Sequence, residues 1–170
     1  ESAALARARE LGIPTITVPS PRKSDAPDAE AAYGIALRQV IDEAKPDLIC
    51  LAGYIRKVPG EIVAAYPGRI MNIHNALLPA FGGRGMFGLH VHQAALDYGV
   101  KVSGCTVHFV DEGYDTGPII LQSVVPVEDD DTAETLAARV LIAEHEAFPR
   151  AIGLFCDGRL RIAGRRVHTL

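Results

Sequence analysis

At 170 residues the chain has the length of one domain with a sizeable core. Apolar residues make up 48% and charged residues 22%, the balance of a globular protein and not of a disordered one. A net charge of −4 argues against a nucleic-acid surface, and no apolar run reaches the ~18 residues of a membrane helix.

In chain order, ESAALARARELG is rich in Ala, Leu and Arg and stops at Gly12, which predicts a helix. The β-branched IPTITV (13–18) predicts a strand, and PSPRKSDAPD (19–28) a loop. Asp28 is placed to cap a helix over 29–44, with apolar spacing at Tyr33, Leu37, Val40 and Ile41 and a stop at Pro46. DLICLAG predicts a buried strand, GEIVAAYPG a short helix and RIMNIH a second buried strand. After a Pro/Gly-rich loop over 75–88, HVHQAALDYG predicts a helix ending at Gly99. KVSGCTVHFV and PIILQSVVPV predict two strands around DEGYDTG, and Asp131 or Thr132 caps a long helix through 156 that Pro149 disturbs. The basic tail RLRIAGRRVH has the character of a solvated edge.

Alternating strands and helices specify an α/β, Rossmann-like layered fold, a mostly parallel central sheet with helices on both faces. The last two strands lack a helix between them, so the sheet is mixed there. Cys50, Cys105 and Cys156 are widely spaced, and Cys50 and Cys105 lie in apolar runs where a thiol acts as a small hydrophobe. Such spacing argues for free thiols in a reducing, cytoplasmic setting and against a zinc site. His90 and His92 point apart at a helix start with no carboxylate at ligand spacing, so no metal is expected.

Three polar groups fall where strands give way to loops: Asn72 and His74 after RIM, and Asp115 in DEGYDTGP. Loops after parallel neighbours converge, and these residue types fit attack of an amine on an acyl carbon. An amide donates to a developing oxyanion, a histidine handles the proton and a carboxylate orients the ring. No Ser or Cys with its own base is evident, which argues against a covalent acyl-enzyme. The same spacing is also compatible with plain loop punctuation.

NIHNALLPAF, then TVHFVDEGYDTGPIILQ and ETLAARVLIAEHEAFPRAI, resemble the folate-dependent formyltransferases. The linked motifs N-x-H-x-x-L-L-P and D-x-G-P carry the resemblance, and AARV…EH…P favours the glycinamide ribonucleotide branch over the methionyl-tRNA branch. The resemblance implies formyl transfer from 10-formyltetrahydrofolate, a co-substrate, to the amine of glycinamide ribonucleotide in purine biosynthesis. Its partners are then small molecules, with no nucleic acid, membrane or metal, and the chain a monomer or homodimer. By the family pattern Asn72 polarises the formyl oxygen, His74 handles the proton, and Asp115 partners the histidine. Ile55, Arg56, Lys57 and Val58 match one wall of the folate pocket, and Asp111, Glu112, Gly113, Tyr114 and Asp115 the other. Glu144 matches the residue contacting the ribonucleotide, and His108 a supporting group. Asn75 stands where the family usually has proline. The pattern further implies a single domain over 1–170 that lacks the family's first strand–loop–helix–strand unit and its phosphate loop. Two alternatives stay open: a 10-formyltetrahydrofolate hydrolase using the same three residues, and an inert folate-binding remnant.

Overall fold

Helix α1 (Ala3–Glu10) begins where the Ser2 hydroxyl accepts the Leu5 N–H, and Arg7 and Arg9 in its last turn suit the negative end of the helix dipole. Helix α2 (Ala29–Ala44) is braced on its surface by Arg38–Asp42 and Gln39–Glu43 hydrogen bonds one turn apart. It ends at Lys45, whose φ of 47° turns the chain ahead of Pro46, as the sequence predicts. Asp28 occupies the N-cap position, but its side chain makes no capping hydrogen bond. The computed structural model describes residues 2–22 and 28–170, so residues 23–27 of the predicted 19–28 loop lie outside the described residues. Residues 1–46 form one compact unit and 47–170 another.

Residues 13–18 are not a strand. Their β-branched composition favours an extended chain, but a strand exists only by pairing, and no described segment pairs with them.

The second unit is built on one six-stranded sheet in the order β1-β2-β3-β4-β6-β5. Its elements are β1 (Ile49–Leu51), α3 (Gly60–Ala65), β2 (Ile70–His74), α4 (Leu89–Tyr98), β3 (Val102–Phe109), β4 (Ile119–Pro126), α5 (Ala133–Cys156), β5 (Leu160–Ala163) and β6 (Arg166–Thr169). The pairs β1/β2 and β4/β6 are parallel, and β2/β3, β3/β4 and β5/β6 antiparallel. Four strands, β1, β2, β4 and β6, therefore run in one direction. The β5–β6 hairpin is formed by the basic tail, which lies largely exposed at the edge of the sheet as expected.

Alternation along β2 and β3 divides the sheet into two faces. Met71, Cys105, Val107 and Phe109, with Val125 of β4, pack against Leu136, Val140, Ala147 and Ala151 of α5 and Ala95 of α4. The α5 residues recur at helical spacing, one stripe along a 24-residue helix. Pro149 sits within that helix on its exposed side and does not end it. Thr132 is the cap, exchanging hydrogen bonds with Thr135 in a capping box. Asp131 instead holds the Arg139 guanidinium in a bidentate pair at 2.6 and 2.9 Å, and that hydrogen bonding keeps its carboxyl well below the usual carboxylate range. Among the described residues no helix is long and apolar enough to cross a membrane.

Leu136 is fully buried in this core. Leu136→Ala is expected to lower unfolding stability by about 2–5 kcal/mol, read from the shift in urea midpoint at unchanged slope.

Candidate active site

Asn72 and His74 lie inside β2, not beyond it, and their side chains leave the face opposite Met71. The pairing with β3 sets Asn72 across from His108 and His74 across from Thr106. Because β2 and β3 are antiparallel, their loops do not run out side by side as expected for parallel neighbours. Asp115 reaches the pair because the 110–118 segment folds back to β4. It does so through a left-handed backbone at Asp115, φ 55°, and through Gly117, where a Cβ would lie 1.7 Å from the Phe109 carbonyl oxygen.

Asn72 Nδ2 lies 3.1 Å from His108 Nε2, and His108 Nδ1 lies 2.9 Å from the Phe109 carbonyl oxygen. A carbonyl only accepts, so Nδ1 carries the hydrogen and Nε2 accepts from the Asn72 amide. His108 is 2% exposed, and burial lowers its pKa, against smaller opposing effects of the Phe109 carbonyl and Asp115. Its 3.7 Å approach to Asp115 Oδ1 is accordingly no ion pair, since burial outweighs the carboxylate and leaves the ring neutral.

His74 is held differently. Its Nε2 donates to the Phe81 carbonyl at 2.9 Å, which leaves Nδ1 facing Asp115 Oδ2 at 3.7 Å. That separation exceeds a hydrogen bond. Asp115 Oδ2 also accepts the Gly83 N–H at 2.9 Å. Gly82 permits this approach, because a Cβ there would lie 2.4 Å from Leu78 Cδ2 and 3.3 Å from Asp115 Cβ.

Thr106 and Gln122, which the sequence did not single out, fix the turn after His74. The Thr106 hydroxyl donates to Ala76 O at 2.6 Å and accepts from Leu78 N at 3.0 Å. Gln122 Nε2 donates to that hydroxyl and to Leu78 O. Thr106 sits in TVHF two residues before His108, so strand alternation alone placed it on the site face.

Asn72, His74, His108 and Asp115 line a cavity of about 280 Å³. Ile55, Arg56, Lys57 and Val58 form part of its wall, with Gly113, Tyr114 and Asp115 on another side. Asp111 and Glu112 are not among its lining residues. Glu112 is exposed, and the Asp111 carboxylate braces its own loop by accepting from Gly113 N and Thr116 Oγ1. Glu144 lines the cavity from α5, where burial raises its pKa more than His145 lowers it. A third wall comes from Gly83, Gly85, Met86, Phe87 and Gly88 of the Pro/Gly-rich 75–88 loop. Among the thiols, burial pushes Cys105 up to about 11, as for a small hydrophobe, whereas Cys50 and Cys156 are exposed. Cys50 therefore departs from its expected buried role.

The cavity thus combines an amide donor, an imidazole beside a carboxylate and a half-apolar wall, an arrangement for acyl transfer to a small nucleophile. Residues 1–152 match the family model described as "Formyl transferase". The chain is 43% identical over 157 residues to the chloroplastic phosphoribosylglycinamide formyltransferase of Arabidopsis thaliana, covering 91% of this chain and 52% of that protein. It is 41% identical over 158 residues to the phosphoribosylglycinamide formyltransferase of Escherichia coli, covering 93% and 70% of the two chains. Glycinamide ribonucleotide transformylase 1 from Symbiobacterium toebii superposes with a TM-score of 0.85 at 46% identity, over all of this chain and 76% of that one. The chain spans about half the length of the plant relatives it matches. With the family model matching most of its length, the chain belongs to the formyl transferase family.

Proposed function

We propose that this protein transfers the formyl group of 10-formyltetrahydrofolate to the amine of glycinamide ribonucleotide. The observation that carries the reading is the convergence of Asn72, His74 and Asp115 on one cavity from β2 and the 110–118 segment. The names of the relatives support it. The remaining wall, with Ile55 and Tyr114 exposed, suits a flat apolar ring, and Glu144 suits the polar acceptor. We place the protein in a reducing, cytoplasmic setting, in keeping with its three free cysteines.

When bound, the donor supplies an acyl carbon joined to nitrogen. A bond forms from the amine nitrogen to that carbon, and the carbon–nitrogen bond of the donor breaks. One proton leaves the attacking amine and one reaches the departing nitrogen, so the exchange balances without a metal or a covalent enzyme intermediate. Asn72 has two amide hydrogens, and His108 takes one. The other is free to donate to the formyl oxygen as negative charge grows there. In His74 the Nε2 hydrogen is committed to Phe81 O, so Nδ1 is the position that gains and gives the proton, with the Asp115 charge beside it.

In full-length protein, Asn72→Ala is expected to lower kcat by roughly 10²–10³ and His74→Ala by roughly 10²–10⁴. Both are measured as tetrahydrofolate formed with glycinamide ribonucleotide as acceptor, with circular dichroism confirming the fold. Acceptor-independent release of formate at the same rate would instead support the hydrolase. His108→Phe, which keeps bulk but removes the acceptor for Asn72, should lower kcat about tenfold with little change in KM, whereas His108→Gln should recover most of it.

A further inference from the structure

Asn75 follows His74 directly and lines the cavity, yet no step above uses it. Both hydrogens of its amide are committed, one to Gly88 O at 3.2 Å and one to His92 Nε2 at 2.9 Å. His92 enters from the first turn of α4 and is 2% exposed. With Asn75 as donor, His92 Nε2 is the lone-pair nitrogen, and the ring hydrogen resides on Nδ1. That Nδ1 is buried and has no hydrogen-bond partner among the described residues. A buried donor left unsatisfied is costly, so the ring adopts this tautomer for what Nε2 gains from Asn75. Burial, followed by the charge of His74, lowers the His92 pKa and preserves the acceptor.

The far part of the loop between these anchors is rich in glycine. Gly83, Gly85 and Gly88 take φ of 98°, 89° and 56°, conformations natural to glycine. The same loop presents the Phe81 carbonyl to His74 and the Gly83 N–H to Asp115.

We propose that Asn75 and His92 are a positioning pair: their hydrogen bond, with that from Asn75 to Gly88, clasps the two ends of the 75–88 loop and so sets the orientation of His74 against Asp115. The inference rests on the formyl-transfer reading for its activity measurements but not for its spectroscopic one.

The test uses full-length protein. Ring ¹⁵N NMR of the ligand-free protein should find His92 with hydrogen on Nδ1, and Asn75→Ala should shift that tautomer towards Nε2–H. Asn75→Ala and His92→Leu should each lower kcat about tenfold with KM for either substrate changed much less. Because one interaction is removed twice, the double variant should be no worse than either single one. His92→Gln places an acceptor near Nε2 and should stay within about twofold of wild type. A wild-type His92 with hydrogen on Nε2 overturns the proposal. So does kcat retained in Asn75→Ala, or losses that multiply in the double variant. If wild-type protein transfers no formyl group, the functional reading fails while the tautomer still decides the clasp.

Discussion

The antiparallel register between β2 and β3 governs both the stability and the chemistry of the second unit. Strand side chains alternate with a period of two, so the pairing that sends Met71 and Phe109 into the core also sends Asn72 and His108 to the site. A slip of one residue in either strand would bury the amide and imidazoles against α5 and expose the core residues. The apolar stripe of α5 thus penalises any register that would misplace Asn72 and His74. Core packing and catalytic geometry are one constraint read on two faces.

What the strands do not fix, hydrogen bonds between side chains and the main chain do. The turn after His74 is tied by the Thr106 hydroxyl and the Gln122 amide, and the 110–118 segment by the Asp111 carboxylate and the close approach of Gly117 to Phe109. Arg165, from the terminal hairpin, adds a hydrogen bond to the Thr116 carbonyl, one residue after Asp115. Backbone amides and carbonyls make precise supports because they carry no rotamers of their own.

Much of this was legible in the sequence because each strong pattern had one physical solution. The long helix through 156 with a cap at Asp131 or Thr132 is found as predicted, and of the two Thr132 starts it. Asn72 and His74 two residues apart predict a shared side, and the two share it. The failures concern partners rather than local preference. IPTITV has strand composition without a described neighbour, and RLRIAGRRVH, an exposed edge as expected, gave no sign that it pairs as a hairpin with β4. Parallel neighbours were inferred from alternation of elements, yet only the ladder reveals that β3 runs against β2. Asp111 and Glu112 matched a pocket wall by position, and their side chains serve the loop or solvent instead. Asp28 looked like a cap because the residue type is right, but type does not aim the side chain.

The three histidines around the cavity show how neighbours of one kind acquire different roles. His92 and His108 each accept from an asparagine amide, and burial holds the pKa of each below the ordinary value. The charge of His74 pushes both in the same direction. A lowered histidine pKa means that the unfolded chain binds the proton more readily. These two rings therefore contribute their full stability above about pH 6.5 and lose it as the pH falls further. Protonating either would turn an acceptor into a donor opposite another donor, freeing Asn72 or Asn75 to rotate. His74 faces no amide. Its Nε2 meets the Phe81 carbonyl and its Nδ1 faces the Asp115 carboxylate. On the proposed reading the division of labour follows from what each ring meets: two imidazoles opposite amide donors orient the asparagines, and the one opposite carbonyl and carboxylate exchanges a proton.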